Sequence, residues 1–287
     1  MRILVAGASG LIGREVVRVL AADGHAIRTF SRDPERAASL RAIGAHDVRV
    51  GDATAAGAWD GICDAIDVVV SSLGASVSPT AWGRRSYAAI DREANLALLD
   101  AAVRVGVRRF VYVGVHTEPA YADTAYVRAH RDVEDAVRAS GLEHGFVRAT
   151  GVHGTLLEMV DLAGRGIVPV FGDGSALTNP IHEADVAAAV GAAVAAPGST
   201  EVDVGGPEQL TRRRIAELAF AARGARPRIV SLPVWMGKAM ARAAGVVDRR
   251  LGDFLMFGVL VTTTVCVAPA AGERTLRASF EQYARSR

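Results

Sequence analysis

The sequence predicts an α/β protein built on a doubly wound parallel sheet, with a smaller C-terminal lobe. Three observations carry that prediction. Over the first 150 residues, short apolar runs of strand type alternate with amphipathic helical stretches, and strict alternation means parallel pairing through right-handed crossovers. A glycine triplet stands where the first strand meets the first helix. Beyond residue 150 the alternation loosens and turn chemistry enters at Gly164-Arg165-Gly166 and Gly172-Asp173-Gly174. The division expected is a sheet domain over 1–150 and a lobe formed mainly by 151–287, intertwined with the first.

The elements follow from periodicity. Ile3-Leu4-Val5-Ala6 is an unbroken apolar run, the signature of a strand covered on both faces. Leu11, Ile12, Val16, Val17, Val19 and Leu20 then recur at helical spacing. Further strands read at 26–30, 47–50, 67–70, 109–113 and 144–147, with helical patterns at 87–104 and 126–139 between them. Later come a helix over 182–196, a strand over 201–204, a helix over 211–223, and more helix beyond Pro233. The most apolar stretch, Phe254 to Ala268, is 15 residues long and holds three threonines. It falls short of the roughly 20 residues a spanning helix needs and reads as core or as a wall of the lobe.

Composition narrows the classes. The chain has 287 residues, half of them hydrophobic and 22% charged, so a core is affordable and disorder is excluded. A net charge of +2 gives no field to draw nucleic acid or an acidic membrane. Cys63 and Cys266 make no disulfide framework and suit a reducing cytosol. The N-terminal run reaches glycine too soon for a signal peptide, so a cytoplasmic setting is expected. Of 33 Lys and Arg residues only Lys238 is a lysine, so any lysine chemistry must use it.

Gly7-Ala8-Ser9-Gly10-Leu11-Ile12-Gly13 joins the first strand to the first helix. In that context the glycines make a tight turn, admit a pyrophosphate to the backbone and let helix pack on strand. The helix N-terminus offers unpaired amides to the phosphates. The second strand ends in Ser31-Arg32 with no acid at its tip. An acid there would hold the ribose of NAD, whereas Arg32, with Ser31 and Arg36, can hold the 2′-phosphate of NADP. Asp33 reads as the cap of a helix entered through Pro34. Asp52 ends the third strand and can accept from an adenine amino group, or is a solvated loop acid. Ser71-Ser72-Leu73-Gly74 sets small residues and backbone amides beside the dinucleotide.

Taken together the chain resembles the atypical short-chain dehydrogenase/reductases, in their NmrA-like and epimerase-like branch. The resemblance rests on GASGLIG at 7–13, SRDPER at 31–36, GD at 51–52 and RRFVYVGVHT at 108–117. It continues through Tyr126 to Glu134, SGLEHGFVRATGVHG at 140–154, NPIHEADVAAA at 179–189, VGGPEQLT at 204–211 and APAAGERTL at 268–276. It implies a Rossmann-type domain binding NADP(H), a substrate cleft under the C-terminal lobe, and Val113, Gly114, Thr150 and Val152 at strand ends beside the cofactor. It does not imply one reaction, since members include reductases, epimerases and binding-only sensors.

In catalytic members a tyrosine and a lysine stand four apart on the helix after the fifth strand. Here Tyr126 and His130 hold that spacing, with histidine in place of lysine. The family serine after the fifth strand is also absent, and His116 and Thr117 are the polar groups nearest its place. The catalytic residues expected are therefore Tyr126 or His116 as proton donor, with His130 positioning ribose or relaying a proton. His153 could face the same cleft, and His182 reads as structural. The histidine spacings match no zinc pattern, so no metal is expected, and no G-x-S-x-G elbow supports a hydrolase.

The function expected is an NADPH-dependent oxidoreductase transferring hydride to a small, mostly apolar carbonyl or aromatic substrate, in a monomer or homodimer. Trp82, Met159, Trp235, Phe254 and Met256 are candidate pocket walls. The alternatives are a redox-neutral epimerase, dehydratase or cyclase on the same fold, and a non-catalytic NADP-binding sensor.

Overall fold

The computed structural model describes residues 1–31, 33–55, 57–74 and 88–287. Its first half lays down β1 (Arg2–Ala6), α1 (Leu11–Ala22), β2 (Ala26–Ser31), α2 (Pro34–Ala42), β3 (Ala45–Val50) and β4 (Val68–Ser71). A π-helical segment, Ala88–Ala94, leads into α3 (Asn95–Arg104), followed by β5 (Arg109–Val115), α4 (Ala125–Ala139) and β6 (Glu143–Ala149). Then come α5 (His153–Leu156), α6 (Glu158–Gly164), β7 (Val168–Phe171), β8 (Leu177–Thr178), α7 (Glu183–Ala195) and β9 (Thr200–Val204). The chain ends with β10 (Leu210–Thr211), α8 (Arg212–Ala222), β11 (Ile229–Leu232), α9 (Val234–Val247), α10 (Arg249–Thr263) and α11 (Leu276–Arg285). The short lobe pieces β7, β8, β10, β11, α5 and α6, and the last helix, are elements that periodicity did not reveal.

Seven strands form one parallel sheet in the order β3-β2-β1-β4-β5-β6-β9. Alternate residues of β1 feed opposite layers. Ile3 and Val5 pack with Val16, Val17 and Leu20 of α1 and Val186 and Val190 of α7. Leu4 and Ala6 pack with Leu98 and Ala102 of α3 and Val133 and Val137 of α4. Both faces are thus covered, which is why the strands read as unbroken apolar runs. Strand order reverses between β1 and β4, and a ligand crevice opens at the carboxyl ends of strands flanking such a reversal.

After β6 the chain leaves the sheet, returns through α7 and β9, and leaves again. The pair β7–β11, strand β10 and the helices α6, α8 and α11 make a separate apolar core around Phe220 and Phe280, with β8 paired to β10 at its side. Asn179 ties that part to the sheet. Its side chain donates to the carbonyls of Gly206 and Ala268 and accepts from the Ala268 amide, while its own carbonyl accepts from the Thr150 hydroxyl. Helices α9 and α10 pair closely because a Cβ on Gly252 would stand 2.5 Å from the Gly245 Cα. Among the described residues no helix is long and apolar enough to cross a membrane.

One buried cation fastens α7 to the sheet. Arg109, fully buried at the start of β5, donates to the carbonyls of Ala193, Val194 and Gly198 and to Glu143 at 2.7–3.0 Å. The first two are last-turn carbonyls of α7, which lack partners within their helix. Arg109→Met keeps bulk and leaves these acceptors unmatched. It is expected to cost about 1–3 kcal/mol in urea unfolding, the scale of buried acceptors left unsatisfied, and a loss below about 0.5 kcal/mol would show that the clamp is dispensable.

Candidate functional site

The crevice is shaped by what glycine lacks. Gly7 has φ +81°, and a Cβ on it would lie 2.6 Å from the Ser72 carbonyl carbon. A Cβ on Gly13 would lie 2.2 Å from the Gly7 carbonyl oxygen. These contacts lock the start of α1 against the ends of β1 and β4. Gly10 differs, because among the described residues a Cβ there would meet only the Gly7 oxygen, at 3.3 Å. Among the described residues no side chain caps α1 and no acid stands in its first turn. The amides at Leu11, Ile12 and Gly13, with the half-buried Ser9 beside them, have no side-chain acceptor among the described residues and suit the phosphates of a dinucleotide.

Across from this loop, Asn95 fixes the segment after β4. Its side chain bonds the Ser71 hydroxyl and donates to the Leu73 carbonyl, while Ser72 donates to the Ala6 carbonyl. Sequence reasoning missed Asn95. Its signal was one polar residue at positions i, i+3, i+4 and i+7 with Leu98, Leu99 and Ala102. Gly74 lies alongside, with a Cβ there 3.2 Å from an Asp91 oxygen.

At the β2 tip, Ser31 is buried and its hydroxyl bonds the Asp33 backbone. Asp33 accepts from the Glu35 amide and caps α2, as its place before Pro34 predicts. Arg36 is exposed, 3.5 Å from Asp33. Asp52 accepts from the amide and hydroxyl of Thr54. Arg32 and Trp82 lie outside the described residues.

Beyond the carboxyl ends of β5 and β6 lies a cavity of about 440 Å³. Ile12, Gly114, Thr150, Gly151 and Val152 form its sheet side, and Phe254, Leu255, Phe257, Val259, Val261 and Cys266 form its lobe side. The apolar stretch from Phe254 is thus a wall of the cavity. Tyr126 and His116 also line it, as do Phe171 and Arg212. Of the other proposed wall residues, Met159 packs in the lobe core, Trp235 is 71% exposed and Met256 lines a different, shallower hollow. Val113 is buried in β5, next to Gly114.

The structure sets Tyr126 edge-on against His130 and gives the two different surroundings. Tyr126 lies in the cavity wall, half-buried, its ring 4.6 Å from that of Phe257. His130 sits beneath it, edge-on at 4.7 Å, and turns to the sheet. There its Nδ1 is 2.7 Å from the Tyr112 hydroxyl and its Nε2 is 3.5 Å from Asp91. The tautomer with hydrogen on Nε2 faces Asp91 and lets Nδ1 accept from the phenol. Burial pushes His130 down to about 4, so it is a neutral ring under the tyrosine rather than a cation in lysine's place. His130 is not among the residues lining the cavity and meets Tyr126 from beneath, ring against ring.

His116 has both ring nitrogens turned to carboxylates. Nδ1 is 2.8 Å from Asp203 and Nε2 is 3.4 Å from Glu118. His153 is also absent from the cavity wall. It is buried between the Ser279 hydroxyl and the Pro180 carbonyl, joining α5 to α11. His182 accepts from the Ala184 amide and caps α7. Thr117 is exposed and donates to the Val115 carbonyl. Among the described residues no three His, Cys, Asp or Glu side chains cluster to hold a metal.

Residues 7–197 match the family model described as NAD(P)H-binding. The chain is 33% identical over 218 residues to a (4-alkanoyl-5-oxo-2,5-dihydrofuran-3-yl)methyl phosphate reductase of Streptomyces griseus, covering 74% of this chain and 70% of that one. It spans between 46% and 66% of the length of three further curated relatives. Among solved structures, a triphenylmethane reductase of Citrobacter superposes with a TM-score of 0.76 at 16% identity, over 99% of this chain and all of that one. The NADPH complex of an Escherichia coli NADPH-dependent quinone oxidoreductase gives 0.70 at 18% identity, over 98% and 99%.

The buried position of His153 has a consequence in acid. Burial holds it down to about 4, against an ordinary value of 6.5. The unfolded chain therefore takes up this proton first, and folding stability is complete above about 6.5 and falls as pH drops toward 4. Urea unfolding between pH 7.5 and 4.5 is expected to show the decline, and His153→Gln to make it shallower. An equal slope in both proteins would contradict this account.

Proposed function

Because the chain belongs to the NAD(P)H-binding family, as an atypical short-chain dehydrogenase/reductase, we propose that it is an NADPH-dependent oxidoreductase. Its substrate in this reading is a small, mostly apolar carbonyl or aromatic compound. One observation carries the reading. A single apolar cavity is lined at once by Ile12 of the glycine-loop helix, by the strand-end residues Gly114 and Thr150, and by the phenol-bearing Tyr126. A nicotinamide entering along the crevice would meet substrate at that place and against that hydroxyl.

In this reading the amides opening α1 hold the pyrophosphate, and Arg32 with Arg36 takes the 2′-phosphate. Ser31 supports that corner through its bonds to the Asp33 backbone. Gly114, Thr150 and Val152 border the nicotinamide end. The bound reduced cofactor supplies the hydride. Tyr126 gives its phenolic proton to the substrate oxygen as negative charge builds there. Phe257 and the neutral His130 hold the ring from two sides. The apolar wall from Phe254 to Val261 keeps water from the reacting carbon. Lys238 is not among the residues lining the cavity, so Tyr126 works without the ammonium that family members use. His116 is a weaker donor candidate, because either nitrogen would first have to leave a carboxylate.

The same carboxylate-paired His116 at the cavity supports a second reading, redox-neutral epimerisation, dehydration or cyclisation with the dinucleotide retained. Net consumption of NADPH separates the two. Supplied with a panel of aliphatic and aromatic ketones, enones and quinones, the protein is expected to oxidise NADPH in preference to NADH. Tyr126→Phe is expected to lower kcat by about 10²–10⁴, the reach of general acid catalysis, with the Kd for NADPH unchanged. Undiminished turnover in Tyr126→Phe on an accepted substrate would overturn the assignment of the phenol.

A further inference from the structure

Helix α8 opens with three consecutive arginines that go three ways. Arg213 donates to the Asp173 carbonyl and the Ser231 hydroxyl, and Arg214 pairs with Glu217 at 2.9 Å. Arg212 instead turns into the wall of the cavity. Its Nη2 donates to the Val261 carbonyl at 2.6 Å, near the end of α10. Its Nε is buried and has no acceptor, and no carboxylate pairs with it among the described residues. The same cavity is lined mostly by apolar side chains, Phe171, Val259, Val261 and Cys266 among them.

A guanidinium cannot shed its charge to suit such a place. A cation set in an apolar wall without a counter-ion is costly, and charge-assisted hydrogen bonds to an oxyanion recover much of that cost. One carbonyl occupies one of its five N–H groups. Resting on the reading that this cavity receives the substrate, we propose that Arg212 is its anion-binding residue. The substrate then carries an oxyanion, a carboxylate or a phosphate, on an otherwise apolar body. That group docks at the start of α8, and the reacting carbon lies toward Tyr126, in the same cavity wall.

Calorimetric titration of the whole protein with octanoate, octyl phosphate and octan-1-ol, with and without NADP⁺, tests the assignment. At least one anion is expected to bind about tenfold or more tightly than the alcohol, the scale of a charge-assisted hydrogen bond, and the tighter of the two identifies the group. The preference should persist with NADP⁺ present, which excludes the cofactor's own phosphates as the anion. Arg212→Gln is expected to remove the preference and Arg212→Lys to keep part of it. Equal affinities for the three probes, no binding of either anion, loss of the preference with NADP⁺ present, or a preference surviving in Arg212→Gln would each overturn the proposal. If Arg212→Gln does not fold, the comparison of anion with alcohol in the wild type decides. Anion preference without NADPH turnover would sink the oxidoreductase reading alone, and turnover without anion preference would sink only the role of Arg212.

Discussion

Everything at this site depends on how closely the backbone of Gly7 is approached from two sides. Gly13 presses on its carbonyl and Ser72 on its Cα, at separations that a β-carbon would reduce to 2.2 and 2.6 Å. A side chain at either glycine would lever α1 away from the junction of β1 and β4. With both bare, the amides opening that helix sit directly over the point where strand order reverses. The electrostatics follow from the steric constraint. Among the described residues the helix N-terminus has no side-chain cap and no acid in its first turn, which favours a bound anion.

The second layer is the hanging of the lobe. Asn179 satisfies backbone groups after β9 and near Ala268 while its carbonyl holds Thr150 at the end of β6. That hydrogen bonding fixes the lobe above the carboxyl ends of β5 and β6 and leaves an apolar volume between them. α10 supplies its lobe wall, and Tyr126 and Arg212 are among the polar side chains in a mostly apolar lining, with His116, Thr150, Thr155 and Thr262. In the proposed reading, the phenol and the guanidinium in one cavity wall divide chemistry and recognition between two ends of a bound molecule.

Much of this was legible in the sequence, and the parts that were not share a cause. Buried parallel strands declare themselves as apolar runs, and the glycine triplet sits where strand meets helix. Asp33 before Pro34 announced its cap, and the stretch from Phe254 announced either core or a wall of the lobe, of which the structure shows the wall. Tyr126 and His130 are four apart, a rotation of about 40° around the helix axis. That offset, with a partner waiting at Tyr112 on β5, puts one ring in the cavity and the other under it. The carboxylate that holds His116 is 87 residues away along the chain, beyond the reach of any local pattern. Arg212 stands in a run of three arginines opening a helix, and which of them turns to the cavity appears only when α10 is packed against it. Asn95 carried a faint signal, one amide on an apolar helical face.

The central claim is that cofactor and substrate meet at the Tyr126 end of the cavity. A crystal structure with NADP⁺ bound tests it most directly. The account predicts the pyrophosphate on the amides opening α1 and the nicotinamide ring beside Gly114 and Thr150. It also predicts that C4 faces the Tyr126 hydroxyl across a gap that one carbonyl group fills. A nicotinamide lying outside the cavity, or one whose C4 is turned away from Tyr126, would contradict it.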